Sequence, residues 1–407
     1  MNPLNILFIC PYLPSLIRSR SYNFIKFLAQ RGHKITLLAL EPPKEDNSGL
    51  EALRQWCICI DTRPLPRWRT LWNGLQAIPG QIPFQAAYSR SPQMVALIRE
   101  TQAKTKFDVA HVEHLRGAEL SHALTGAPVV FDSVDSISLL FERVQQSGPT
   151  WRSRLLAQLD LARTRRYEGQ LLNRFRRVLV TSPHDKDMLA QLAGPSADGQ
   201  RLIVMPNGVD LDYFKPLDLA RAPATIVFSG KMSYHANVAA ALDLATQIMP
   251  LVWQQRPEAK LIIVGKDPTP ELIALTSDPR ITVTGTVPDI RPYLAQATVS
   301  ISPMRYGVGI QNKVLEAMAM ATPVISTPQA VSALQVKAGQ EVLVFDTPTG
   351  MAQALISLVT NPTEWQLLSQ AGRRYVETHY DWKLVTARLE VTYQEVIIEA
   401  QSVTGQP

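Results

Sequence analysis

The sequence predicts an α/β protein of two doubly wound parallel sheets, one per domain, facing a central cleft. Three observations carry that expectation. The 407 residues, 46% hydrophobic and 19% charged, exceed one ordinary core and suit two domains of roughly 200 residues each. Short apolar runs alternate with amphipathic stretches from end to end, as βαβ units require. Near the middle, Met205-Pro206-Asn207-Gly208-Val209-Asp210 joins an apolar strand end to a Pro-Asn-Gly turn, followed by the proline-containing stretch Phe214 to Pro223, and such a break marks a junction.

In the first half the expected strands are Leu4–Cys10, Lys34–Leu40, Val109–Val112, Val129–Asp132 and Val178–Thr181. In the second they are Thr225–Ser229, Lys260–Val264, Ile281–Thr284, Val299–Ser302 and Val324–Ser326. Each half therefore has strands for its own sheet, with ligands expected at the carboxyl ends. The first strand is followed by Pro11 to Arg20 without a glycine, which excludes the dinucleotide fingerprint, and Glu41 alone does not restore it. No repeat of 20 to 50 residues is visible, which excludes solenoids and propellers.

Cys10, Cys57 and Cys59 form neither a disulfide framework nor a metal or redox motif, so a reducing compartment is expected. The first apolar stretch lacks a basic leader and a cleavage site, and no run of about 20 apolar residues occurs. The expected location is cytoplasmic, at most peripheral on a membrane. The net charge is +6 overall, but residues 1–200 carry +8 and the remainder −2. The charge raises an anionic partner, and the basicity belongs to the first half.

The densest chemistry lies in Pro303 to Met320, where a strand runs through Gly307 and Gly309 into a helix beginning near Ile310 to Lys313. Glycines let a ligand approach the backbone, and the N–H groups of a helix start favour phosphate. Lys313 and Glu316 fall on one face, where a cation can neutralise a diphosphate and a carboxylate can accept from sugar hydroxyls. The same spacing suits a plain helix start with a solvated Lys/Glu pair over a Leu315, Met318 and Ala319 core.

Gly309-Ile310-Gln311-Asn312-Lys313-Val314-Leu315-Glu316-Ala317-Met318-Ala319, with Thr322-Pro323-Val324-Ile325, resembles the donor-site signature of the GT-B retaining glycosyltransferases of family 4 (group 1). Asn5 to Phe8 with Leu28 to Ile35, Met205 to Asp210, Phe228 to Met232, and Val283 to Ile290 are similar to further segments of that family in the same order. Asn237, the Gly309 to Lys313 run and Phe131 to Ser136 resemble its exopolysaccharide and PEP-CTERM-associated subgroup.

The resemblance implies a GT-B fold of two Rossmann-like domains: residues 1–205 on the acceptor side, joined by a crossover helix at 382–407, and residues 206–381 on the donor side. It implies a nucleotide-diphosphate sugar as co-substrate, retention of configuration, and neither a metal nor another cofactor. Lys231 and Lys313 would stabilise the leaving diphosphate with Arg305 in support, while Glu316 would hold the ribose. Gly230, Gly309, Ile310, Gln311 and Asn312 would contact the donor, with Gly285 and Val287 near the base. Three departures stand out. Val308 replaces the family's first glutamate, Asn237 its second phosphate cation, and Pro14 to Arg20 its glycine loop, leaving Arg18 and Arg20 as substitutes.

On the acceptor side, Asp108 to His114 resembles a family strand end in which Glu113 takes the place of a histidine, so Glu113 or His114 would orient or deprotonate the acceptor. His111, Asp132 and Asp135 are further polar candidates, and the aspartates equally suit helix capping. Asp210 and Asp212 have metal-motif spacing but fall in the junction, an accident of sequence. Trp151 to Arg177 holds eight arginines against Asp160 and Glu168, interleaved with leucines. It suits an anionic membrane surface or an ordinary solvated helix, and no nucleic-acid motif accompanies it. The expected acceptor is a saccharide or a lipid-linked group. A nucleotide-sugar epimerase or a non-catalytic nucleotide-sugar-binding scaffold would share the architecture.

Overall fold

Apolar runs separated by amphipathic stretches can pair only as parallel strands with helical crossovers, and both halves of the chain do so. The computed structural model describes residues 2–16, 18–42, 49–147, 151–195, 198–306 and 310–404. Contacts divide the chain into two units, Met1–Pro206 with Trp382–Pro407, and Asn207–Asp381.

Unit 1 contains β1 (Asn5–Cys10), β2 (Lys34–Glu41), β3 (Cys59–Pro64), β4 (Val109–Glu113), β5 (Val129–Val134), β6 (Arg177–Val180) and β7 (Leu202–Val204). They form one sheet in the order β3-β2-β1-β4-β5-β6-β7, every pair parallel. Ile6 to Cys10 are wholly buried because helices cover both faces of a parallel sheet. The helix Ser19–Gln30 packs Phe24, Ile25, Phe27 and Leu28 inward. It stops at Gly32, whose φ of 91° lets its N–H reach Ala29 while His33 N–H reaches Leu28, a Schellman end that explains the Arg31-Gly32-His33 sequence.

The helix Trp382–Thr404 completes unit 1. Trp382, Val385, Leu389, Tyr393 and Val396 recur on one face and join Phe8, Phe24 and Leu28 in a single core. Its Glu390 meets Arg31 at 2.5 Å and His33 at 3.2 Å, and Glu399 pairs with Arg177.

Unit 2 contains β8 (Thr225–Ser229), β9 (Lys260–Val264), β10 (Ile281–Val283), β11 (Val299–Ser302), β12 (Val324–Ser326) and β13 (Leu343–Val344), in the order β10-β9-β8-β11-β12-β13. The helix Asn312–Ala319 buries Val314, Leu315, Ala317 and Met318. Pro348–Thr360 and Pro362–His379 each start with proline after a capping side chain, Thr347 and Asn361, the expected N-terminal chemistry. The two ends of unit 2 meet, Val209 N–H donating to the Tyr380 carbonyl at 2.6 Å beside a parallel bridge to Asp381.

Strands β3, β7 and β13 are additions to the sequence expectation. All three lie at sheet edges, where solvent replaces one neighbour and no long apolar run is needed; β3 reads Cys-Ile-Asp-Thr-Arg-Pro. The basic stretch is also not one continuous helix. Trp151–Gly169 is followed by a short turn of helix, Leu171–Arg174, and Arg177 already belongs to β6. A Cβ at Gly169 would lie 2.5 Å from the Leu192 carbonyl oxygen, so the chain turns there against its neighbour.

Because Trp382 is 1% exposed in the core that the last helix shares with β1, Trp382→Ala is expected to destabilise unit 1 by about 3–5 kcal/mol. Urea unfolding monitored by circular dichroism measures it; a change below about 1 kcal/mol would show that the last helix contributes little.

Candidate functional site

In unit 2 the strand order reverses between β8 and β11, and chains leaving their carboxyl ends diverge there. β8 ends at Ser229 and continues into Gly230, whose N–H donates to the Val264 carbonyl at 3.0 Å. A Cβ at Gly265 would lie 1.6 Å from the Gly230 carbonyl oxygen, so only glycine permits this approach. A Cβ at Gly230 would lie 2.7 Å from Asn237 Nδ2 and 3.2 Å from Lys313 Nζ. Bare backbone thus faces an amide and an ammonium.

Those two side chains hold each other. Asn237 Nδ2 donates to the Lys231 carbonyl at 2.9 Å, which turns Oδ1 toward Lys313, whose Nζ donates to it at 2.5 Å. Nζ also lies 3.7 Å from Met304 Sδ and 4.7 Å from the centre of the Phe228 ring. Burial pulls Lys313 down to about 7, with Glu316 one helical turn away opposing the shift. Burial likewise pushes Glu316 up to about 7, opposed by Lys313. Both groups titrate near neutrality, where an arriving charge tips their balance.

The other donor candidates surround this pair unequally. Lys231 has an exposed side chain, and its backbone carbonyl orients Asn237. Ile310 is buried, Gln311 is the N-cap residue of Asn312–Ala319, and Asn312 Oδ1 accepts from Asn207 Nδ2 at 3.5 Å. Gly285 has φ 68°, a turn that glycine adopts without strain, and Val287 packs on the unit 2 core. Gly309 and Val308 lie outside the described residues. Arg305, the expected support, is largely exposed and pairs with Asp243 at 2.9 Å. Tyr306 stacks on His235 with ring centres 5.4 Å apart. Asp210 Oδ1 accepts from the N–H groups of Asp212 and Tyr213, both at 3.1 Å, a turn-capping use of this carboxylate.

In unit 1 the reversal falls between β1 and β4. His111 and Glu113, two residues apart on β4, share a face. His111 is wholly buried, stacked on Phe8 at 4.6 Å. Its Nδ1 bonds the Tyr393 hydroxyl at 2.8 Å and its Nε2 lies 3.4 Å from Asp132 Oδ2. Arg20 Nε donates to that same oxygen at 2.7 Å. Against the upward push of burial, Arg20 and His111 hold Asp132 down to about 2. Arg20, His111 and Asp132, expected to line the acceptor side, are instead interior residues that brace β4 and β5 against the first and last helices of unit 1.

Glu113 is 2% exposed, and burial, then Asp132, pushes its carboxyl up. His114 begins the turn after β4 with φ 64°, and Val134 at the end of β5 has φ 66°. Left-handed backbone at a β-branched residue is strained, and such strain gathers at functional sites. Burial, then Arg116 and Arg18, pulls His114 down to about 3, so it is neutral at pH 7. Its Nδ1 accepts from Arg116 N–H at 3.1 Å, and Tyr12, under the Arg18 guanidinium at 3.7 Å, meets its ring edge-on. Asp135 accepts from Thr181, and burial with Asp185 nearby raises it to about 6.

Comparison with known proteins bears on this geometry. Residues 19–213 match the model of Glycosyltransferase Family 4, and residues 223–361 that of Glycosyl transferases group 1. The chain belongs to the GT-B glycosyltransferases. Solved structures with the same fold include a glycosyltransferase from Rickettsia africae (TM-score 0.68, 16% identity, 98% of this chain and 99% of that one). Anabaena HepE in complex with UDP and glucose aligns with TM-score 0.68 and 14% identity over 96% and 99% of the two chains. Sucrose-phosphate synthase from Thermosynechococcus elongatus aligns with TM-score 0.70 and 16% identity over 97% and 100%. No curated protein matches the sequence.

For this glycosyltransferase, sequence reasoning missed Asn237 as the partner of Lys313 and Tyr393 as the partner of His111. Asn237 stood out as a subgroup likeness and as a departure from the family's cation, with nothing to link it to Lys313. Tyr393 lies 282 positions from His111, with no local signal connecting them.

Lys313 has a lower value folded than its ordinary 10.5, so stability rises with pH between about 7 and 10 as the unfolded chain retains the proton longer. Glu316, raised from 4.5, has the opposite effect between about 4.5 and 7. Lys313→Met is expected to gain less stability than the wild type between pH 7 and pH 9 in urea titrations. Equal gains would show that Lys313 is charged in the folded enzyme throughout.

Proposed function

We propose that this enzyme transfers a sugar from a nucleotide-diphosphate donor to a saccharide or lipid-linked acceptor in exopolysaccharide or glycoconjugate synthesis, as a metal-independent hexosyltransferase retaining the anomeric configuration. Retention, the metal-free chemistry and the biosynthetic role rest on the family resemblance. The observation that carries the donor reading is the convergence of Gly230, Asn237 and Lys313 at the end of β8. Complexes of HepE with UDP-glucose support a nucleotide-sugar donor.

Unit 2 takes the donor and unit 1 the acceptor. Lys313 holds the diphosphate beside the start of the helix Asn312–Ala319, Glu316 accepts from the ribose, and Lys231 lies within reach of the leaving oxygen. When the anomeric carbon–oxygen bond breaks, its electron pair leaves on the diphosphate and the acceptor oxygen bonds the anomeric carbon. A cation held in place in a dense protein setting stabilises that developing charge better than water does. Glu113 or His114 orients the acceptor hydroxyl, whose proton leaves to the departing phosphate or solvent. No described helix is long and apolar enough to cross a membrane, so a lipid-linked acceptor is met from the membrane surface, on the side carrying Trp151–Gly169.

Lys313→Ala and Glu316→Ala are each expected to lower kcat/KM about a hundredfold or more, while thermal midpoints move by only a few degrees. Unchanged transfer rates in both would overturn the site. Because Lys313 has been pulled to about 7, UDP binding near pH 8 should draw a proton onto it. Titration calorimetry in two buffers of different ionisation enthalpy measures this uptake, which Lys313→Met abolishes; equal heats for the wild type would contradict it. Donor sugars incubated without acceptor remain intact or hydrolyse slowly, whereas an epimerised product would favour the epimerase.

A further inference from the structure

Two helices of unit 1 have their apolar faces turned outward. On Arg67–Ala77 the buried residues are Asn73 and Ala77, Asn73 being held by the carbonyls of Tyr88 and Arg90. Trp68, Leu71, Trp72 and Leu75 are each more than half exposed. On Trp151–Gly169 the buried side is Ala157, Asp160, Thr164, Tyr167 and Glu168, while Leu155, Leu156 and Leu159 face outward. Surface helices ordinarily show the reverse.

The two faces are joined. Arg163 donates to the carbonyls of Ala77 and Ile78 at 3.2 and 2.6 Å, and Asp160 accepts from Phe84 N–H at 2.9 Å. Ile78, also exposed, continues the surface between them. The next helix, Phe84–Tyr88, connects to the end of β4: Arg116 donates to Gln85 Oε1 at 2.7 Å and stacks over Tyr88. The apolar surface therefore adjoins the turn carrying His114.

We propose that Arg67–Ala77, together with the outer face of Trp151–Gly169, docks this enzyme on an anionic lipid bilayer, with Trp68, Leu71, Trp72 and Leu75 entering the headgroup region. Charge selects the occupant. The helix Arg67–Ala77 itself carries Arg67 and Arg69 and no aspartate or glutamate, and Arg69 lies over the Trp68 ring at 4.6 Å. Indole rings favour the boundary between hydrocarbon and water, and arginines beside them meet lipid phosphates. A second copy docked by two-fold symmetry would bring these arginines against themselves, with no carboxylate in that stretch to offset the repulsion. The inference deepens the membrane-side acceptor reading above, but lipid binding is measurable without sugar transfer.

Flotation of the full chain with phosphatidylcholine vesicles, and with vesicles of phosphatidylcholine and phosphatidylglycerol in equal parts, tests it. Strong recovery is expected only with the anionic vesicles. Trp68→Ser combined with Trp72→Ser should reduce partitioning about tenfold or more, and Arg67→Gln with Arg69→Gln roughly thirtyfold. Both pairs should keep the wild-type thermal shift with UDP. Equal recovery on neutral and anionic vesicles would overturn the proposal, as would wild-type recovery of both variants. So would sedimentation showing a dimer that the tryptophan variant converts to monomer. Intact vesicle binding without any UDP shift would overturn the donor site and leave the docking face standing.

Discussion

The arrangement at the end of β8 rests on one hydrogen bond, from Lys313 to Asn237. An ammonium surrounded by protein loses hydration, and a single amide oxygen with an aromatic face below replaces only part of it. The lysine therefore stays poised near neutrality, and an anion can complete its coordination. Everything nearby preserves this arrangement. The Lys231 carbonyl fixes the amide of Asn237, and Gly230 leaves the space that a methyl group would fill. The close approach at Gly265 fixes where Gly230 lies.

Unit 1 organises its charges in the opposite way. Arg20, Asp132, His111 and Tyr393 contact one another in the interior, and from there their effect is positional. What they position is the pair of strand ends at His114 and Val134, both in left-handed backbone. Such conformations persist only where the surroundings over-determine them, and a buried ion pair tied to helices from both ends of unit 1 supplies that constraint.

Much of this could be read from sequence where the signal is local. Ten strands announced themselves as apolar runs because parallel sheets are buried on both faces, while the edge strands β3, β7 and β13 did not. Lys313 and Glu316 were visible through their three-residue spacing. Asn237 was visible as a subgroup likeness and as an anomaly, but not as a partner, because an amide that replaces a cation looks like a loss until its lysine is placed beside it. His111 and Asp132 were legible as polar residues near strand ends, but their burial depends on Tyr393 and Arg20, which are distant in sequence. The arginines of residues 151–177 read as one basic surface. Folding divides them: Arg174 bonds the Ala118 carbonyl, Arg177 pairs with Glu399, and on the outward face Arg154, Arg165 and Arg166 share the surface with leucines. The tryptophans of Arg67–Ala77 gave no warning, since exposure is not written in composition.

The helix Trp382–Thr404 also sets the order in which the protein is made. Synthesis runs from the amino terminus, so β1 to β7 emerge long before Trp382, Leu389 and Tyr393 exist to cover them. Unit 2 has every strand and both of its meeting ends by Asp381, and can close while still near the ribosome. The first unit to emerge is thus the last to be finished. Until the helix Trp382–Thr404 arrives, an apolar face of its sheet awaits a partner, and His111 lacks the hydroxyl that holds its ring. The nascent chain carries that exposed surface through the whole synthesis of unit 2, where chaperones that bind apolar segments would find it.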